Sequence, residues 1–267
     1  MAAAPTCIAI DWSGAANEGG QRRHIVAATV RDGRVLDVVT GRTRAEVAHS
    51  LHAIGIPGRD APTFVGLDFS FSVPEWFARS HGCRSIGEVW ALVAEHGERW
   101  LAECAPPFWG HRLTRCSLVT DDRFRVCEQR LRASGWQPKS VFQIAGAGAV
   151  GTGSLRGMPW LAWLRSRGFA VWPFDGIGAC TALEVYPSLY AKVATKDAVG
   201  RAAHLAPLPA AVLGPREREM AIASDDAFDA VVSALAMWER RNELLSLQAT
   251  TDATTALEGE LWEGVRS

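Results

Sequence analysis

Lysine is almost absent from this chain: of its 28 basic residues only Lys139, Lys192 and Lys196 are lysines. Tyrosine is scarcer still, with 2 residues against 11 tryptophans. No apolar run approaches the roughly 18–20 residues needed to cross a bilayer, so no membrane partner is expected. The opening Met1-Ala-Ala-Ala-Pro-Thr-Cys7 lacks a basic start and a long apolar stretch, which argues against a secretory leader and for a cytoplasmic location. The cysteines (Cys7, Cys83, Cys104, Cys116, Cys127, Cys180) form no C-x-x-C pair and the histidines no H-E-x-x-H. Neither a zinc site nor a disulfide framework is therefore indicated. His49 and His52, one helical turn apart, read as a solvated face. Internal repeats and low-complexity linkers are missing as well.

What remains is ordinary globular material. The 267 residues are 48% hydrophobic and 21% charged, with a formal net charge of −1. That is enough chain for one large domain or two small ones. The balance hides an asymmetry. Between Arg112 and Arg167 ten basic residues face three acids, a local +7, so the rest of the chain carries −8. A basic lobe on an acidic body points to a polyanionic partner, and nucleic acid is the expectation.

Along the chain, Thr6–Trp12 is an apolar run ending in an acid, followed by a loop over 13–20. Asp32-Gly33 between two β-branched runs predicts a hairpin. Thr43–Ile54 predicts a helix capped by Thr43, and Thr63–Phe69 a second buried strand. Trp76–His81, Ile86–Cys104, Asp122–Ala133 and Trp160–Arg167 read as helices. The third of these is basic (Arg123, Arg125, Arg130, Arg132). Lys139–Ala145 and Ala170–Phe174 read as strand-like, and 146–157 as a glycine-rich loop. Ala182–Tyr186 is strand-like, and Ser224–Glu243 a long helix. The simplest organisation is one α/β domain over 1–267, with a mostly helical, Trp/Arg-rich subdomain inserted at about 75–175.

Carboxylates fall where chemistry would use them. Asp11 and Asp68 each close an apolar run, placing both near the C-terminal ends of strands, the edge where open α/β sheets gather ligands. Glu184 lies inside a third such run. Asp225, Asp226 and Asp229 share one side of the last long helix, beside its apolar stripe of Phe228, Val231, Val232 and Leu235. Converging carboxylates repel one another unless cations neutralise them. An all-oxygen set favours Mg²⁺ or Mn²⁺, and a pair of such ions suits phosphodiester hydrolysis. Taken singly, each acid also has a plainer role, as helix cap, turn former or buried ion-pair partner.

Ile10-Asp-Trp-Ser-Gly14, Gly66-Leu-Asp-Phe69, Glu184-Val-Tyr-Pro187 and Asp226-Ala-Phe-Asp229-Ala230 together carry a resemblance to the domain-of-unknown-function family four-two-nine, described as RNase H-like nucleases. Phe124-Arg125 and Glu258-Gly259 add lesser support. The order of three strands, helix, strand, strand and acid-bearing helix resembles the wider ribonuclease H-like superfamily, and Asp226-x-x-Asp229-Ala is similar to the terminal helix of RuvC-type resolvases. This resemblance implies an RNase H-like mixed five-stranded sheet flanked by helices. It implies Asp11, Asp68, Asp226 and Asp229 as metal ligands in a metal-dependent nuclease, with Glu184 a further ligand or proton shuttle. Arg112, Arg125 and Arg156 are the expected contacts to substrate phosphates.

Three other readings compete. A non-catalytic nucleic-acid or partner-binding module needs only the arginines. An ATP-using phosphotransferase needs a Gly/Thr-rich phosphate turn after the first strand, which Asp11-Trp-Ser-Gly14 matches poorly. Gly146-Ala-Gly-Ala-Val-Gly151 matches G-x-G-x-x-G, but Gly153, Gly157 and Pro159 then fall in what should be the first turns of the helix.

Overall fold

The chain is described by a computed structural model over residues 4–54, 61–111, 115–119, 121–146, 148–191 and 197–264. Three strands open it: β1 (Thr6–Asp11), β2 (Val26–Arg31) and β3 (Arg34–Val39), with the helix α1 (Glu18–His24) between the first two. Asp32 (φ +51°) and Gly33 (φ +73°) form the expected two-residue hairpin, whose left-handed pair matches the twist of the strands it joins. Next come α2 (Arg44–Ile54), β4 (Thr63–Leu67), α3 (Glu75–Ser80), α4 (Ile86–Glu103), α5 (Val126–Ala133) and α6 (Gly151–Ser166). The chain then runs through β5 (Ala170–Val171), β6 (Cys180–Glu184), α7 (Ala198–Leu205), α8 (Pro215–Ala223), α9 (Asp225–Glu239), α10 (Arg241–Leu244) and α11 (Thr255–Glu258).

The strands form one mixed six-stranded sheet in the order β3-β2-β1-β4-β6-β5. Only β2 runs against its neighbours; β1, β4, β6 and β5 are mutually parallel. The fold is thus α/β, with six strands rather than the five expected. The extra one is the two-residue edge strand β5, which lies within the strand-like run expected over Ala170–Phe174.

Period-2 alternation sorts the strand residues onto two faces. Ile8 and Ile10 of β1, Val65 and Leu67 of β4, and Cys180 and Ala182 of β6 pack under α2, α4 and α6. Residues between 75 and 171 therefore share one continuous core with the sheet. Cys7 and Ala9, Phe64 and Leu183 point the other way, beneath α9, α8 and α7. Glycine at 66 is what lets α9 close on that face, because a Cβ there would stand 2.7 Å from Met237 Sδ and 2.8 Å from Val185 Cγ1.

The glycine-rich stretch differs from expectation. Helix α6 begins at Gly151, nine residues before the expected start at Trp160, and Gly153, Gly157 and Pro159 all lie within it. Close packing offsets their low helix propensity. A Cβ on Gly157 would meet the Phe69 ring at 2.5–2.8 Å, and one on Gly14 would meet Gly153 N at 2.6 Å. No strand precedes the turn: Lys139–Ala145 holds only an isolated bridge from Gln143 to Trp109. The dinucleotide-binding reading of Gly146–Gly151 fails on this point, since it requires a sheet strand feeding the glycines; Ala147 lies outside the described residues. Gly157→Ala is expected to cost about 1–3 kcal/mol by overpacking, measured by urea unfolding.

Candidate functional site

The alternation that builds the core also gathers the acids. Asp11 follows Cys7 and Ala9 on the α9 face, and Asp68 follows Phe64 and Gly66 onto the same face. The Asp68 N–H donates to Ile10 O at 3.1 Å, continuing the β1–β4 ladder to the sheet edge. Above this edge begins α9. Ser224 caps it, its Oγ accepting from Ala227 N at 3.3 Å, and Phe228, Val231 and Val232 turn inward. Asp226 and Asp229 therefore stand over Asp11 and Asp68, whereas Asp225 is exposed. The expected helix to Glu243 is broken at Arg240, after which α10 follows.

These carboxylates crowd one another. Asp11 is pushed well above the usual carboxylate range by burial first, then by Asp68, Asp226, Asp229 and Asp225. Asp68 is raised well above it in the same way, by burial and then by Asp229 and Glu184. Burial, then Asp225 and Asp226, lift Asp229 to about 7, with Arg201 opposing. Among the described residues no hydrogen-bond donor relieves Asp11, Asp68 or Asp229. Asp226 is raised by burial, partly countered by His24, whose Nδ1 lies 3.0 Å from Asp226 Oδ2. Among the described residues no three Asp, Glu, His or Cys side chains already stand as a ready ligand group. The donor set nonetheless fits a hard divalent cation: four clustered carboxylates with oxygen donors only.

Glu184 stands apart. It pairs in register with Leu67 and so points to the opposite face of the sheet from Leu183 and Val185. There it meets Arg125, which the basic-helix reading placed in solvent and assigned to substrate. Arg125 is fully buried. Its Nη1 donates to Glu184 Oε2 at 2.8 Å and its Nη2 to Glu184 Oε1, while Nε and Nη2 donate to Glu128 Oε1 at 3.0 and 2.8 Å. Nη1 also reaches the Glu258 carbonyl at 3.1 Å. Burial works against the guanidinium charge, but Glu128 and Glu184 more than offset it. The expectation that Arg125 contacts substrate is thereby corrected, and Glu184 is engaged as its ion-pair partner. Glu258 completes the knot by accepting the N–H groups of Glu75 and Val126, both at 2.6 Å.

Arg156 is also engaged. Its Nε and Nη2 clasp Glu98 at 2.6 and 2.7 Å, and its Nη1 donates to the Gly14 carbonyl. Arg112 lies outside the described residues. His49 and His52 cover the Trp163 ring, with centroids 5.0 and 5.8 Å away, rather than standing in solvent alone.

A cavity of about 440 Å³ opens over the acids, lined by Asp11, Trp12, Asp68, Lys139, Tyr186 and Asp226, among others. Sequence reading missed three of its features. Lys139 is the only lysine among the described residues and the only cationic side chain of this lining. Its chain lies along Gly148, where a Cβ would come within 2.9 Å of Lys139 Cε. The buried Trp12 Nε1–H has no acceptor among the described residues. His24 reaches the acids from α1, a helix hidden in what reads as a glycine-containing loop. Asn17 starts that helix, accepting from Gly20 N at 2.7 Å.

The chain is thus an α/β protein with an acidic pocket at the C-terminal edge of a mixed sheet. Comparison with protein-family models, with curated proteins and with solved structures finds no match. Among the described residues no helix is long and apolar enough to cross a membrane.

Proposed function

We propose that this protein is an RNase H-like, divalent-metal-dependent nuclease that hydrolyses phosphodiester bonds of nucleic acid. The observation that carries the reading is the crowding of Asp11, Asp68, Asp226 and Asp229, four carboxylates from β1, the end of β4 and α9 on one face of one sheet edge, only partly countered by His24 and Arg201. Carboxylates so placed raise one another's proton affinity and need cations to remain ionised together. The strand order, with β2 antiparallel and β4 and β6 added in parallel beyond β1, supports the superfamily likeness noted in the sequence.

In this reading the four aspartates hold Mg²⁺ or Mn²⁺. Bound there, the metal supplies charge neutralisation for the phosphate, activation of a water and stabilisation of the leaving oxygen. The protein's own groups do the remainder. Lys139, the cationic side chain of the pocket lining, meets a phosphate oxygen, and His24 orients Asp226. Glu184, locked to Arg125, shapes the floor.

The test is a cleavage screen over single-stranded, duplex, hybrid and branched DNA and RNA, in Mn²⁺ or Mg²⁺ and in EDTA. Metal-dependent cleavage that Asp226→Asn or Asp229→Asn abolishes supports the reading. A folded, metal-supplied wild type that cuts none of them overturns it. Lys139→Met is expected to lower kcat/KM by ~10–100-fold, the worth of one charge-assisted phosphate contact. Its divalent-ion affinity should stay at the wild-type value, checked by calorimetry.

A further inference from the structure

Behind the loop that follows β1 lies a second cavity, of about 400 Å³, that shares no lining residue with the acidic pocket. Glu18, Glu98 and Arg156 line it, and so does the side chain of Arg44. This side chain is only 8% exposed, yet no carboxylate forms an ion pair with it among the described residues. One nitrogen, Nη1, donates to the Ser13 and Ala15 carbonyls at 2.7 and 2.9 Å. Among the described residues no other nitrogen of the guanidinium has a hydrogen-bond partner, and none is a sealed, orphaned donor, while the side chain lines the cavity. The nearby acids are already engaged: Glu98 is clasped by Arg156, and Glu18 faces Arg22 at 3.5 Å. Burial, and next Arg156, hold Arg44 at about 10, below the usual arginine range, with Glu98 opposing.

Part of the cavity lining is apolar. Pro159 and the half-buried Trp160 of α6, with Leu155 and Val93, form that part. Its volume is within the range of small-molecule pockets, which pair an apolar surface with a few fixed polar groups.

We propose that this cavity binds a small anion carried on a planar apolar body, the chemistry of a nucleoside monophosphate, with the anion on Arg44 and the plane against Trp160 and Pro159. The buried arginine gains a counter-charge, and a bidentate approach to its free edge suits phosphate. The site stands independently of the nuclease reading, because its residues are disjoint from the four aspartates.

The experiment titrates adenosine 5′-monophosphate into the full chain by calorimetry in EDTA, which removes divalent metal from the acidic pocket. Inorganic phosphate and adenosine run as separate arms. Saturable 1:1 binding is expected, weakened about tenfold or more by Trp160→Ala and abolished by Arg44→Met. Phosphate alone and adenosine alone should each bind more weakly than the nucleotide, and Asp11→Asn should leave binding unchanged. Arg44 also steadies the 13–15 loop, so Trp160→Ala decides the matter if Arg44→Met does not fold. No binding up to about 5 mM, where even a weak complex registers, overturns the proposal. So does nucleotide binding that neither variant reduces, or that adenosine equals.

Discussion

Asp11→Asn is expected to do two opposite things: to cut metal-dependent cleavage by ~10³-fold or more, and to make the metal-free protein more stable. The second effect follows from the crowding of Asp11 against Asp68, Asp226 and Asp229, which with burial raises its proton affinity well above the ordinary value. The sign is fixed by linkage. A carboxyl whose folded pKa exceeds its unfolded one binds its proton more tightly when folded, so stability falls as pH rises from the unfolded value of about 4 toward the folded value. Above that window the wild type carries the full cost of repulsion, and asparagine removes it. At pH 8 the variant should gain about 1–2 kcal/mol, or some 2–8 °C in melting temperature. Near pH 3.5, where the acid is largely protonated in both states, the gain should fade. Calorimetric melting at both pH values in EDTA tests this. A variant that melts below wild type at pH 8 contradicts the electrostatic account, and one that still cleaves contradicts the assignment of Asp11.

The largest stability loss is expected at Arg125. Removing its guanidinium, as in Arg125→Met, strands Glu128 and Glu184 in a dry interior and cuts the tie to the Glu258 carbonyl. Breaking a buried pair from one side costs about 3–5 kcal/mol, because the remaining charge has nowhere to go. The damage should spread beyond α5. Glu258 holds the N–H groups of Glu75 and Val126, so α3, α5 and α11 meet at this knot. Adding Glu184→Gln and Glu128→Gln to Arg125→Met should recover part of the loss by removing the stranded charges. Urea unfolding reads both effects. A single variant within about 1 kcal/mol of wild type would show that the network contributes little.

The contrast between the acids shows what a sequence makes legible. Asp11 and Asp68 are visible because each ends an apolar run, and a strand end at a parallel-sheet edge is a geometric statement. Asp226 and Asp229 are visible because one turn of helix separates them beside an apolar stripe. Glu184 shares the strand-end signal but not the face. Leu183 and Val185, its buried neighbours, take the α9 side, and parity alone sends Glu184 to the other. Arg125 misleads for a different reason. Its companions Arg130 and Arg132 do lie on α5, but Arg125 is the residue before it and turns inward to Glu128, three positions on, and to Glu184, 59 positions away in the chain. Helix α6 was hidden by its own packing. At Gly157 the Phe69 ring comes too close for any side chain, so a residue that lowers helix propensity fits where a better helix former would clash. Long-range contact, rather than local preference, decides each of these cases.

The central claim is that the acidic pocket exists to hold divalent metal. Its most direct test is a calorimetric titration of Mn²⁺ and Mg²⁺ at pH 8 into wild type and into Asp11→Asn/Asp229→Asn, with circular dichroism to establish that both are folded. The account expects saturable binding to wild type, with a rise in melting temperature of ~5–10 °C at a hundredfold excess over Kd. Both effects should vanish in the double variant. Titrations in which wild type takes up no metal, or in which the folded double variant binds it as tightly, would contradict the claim.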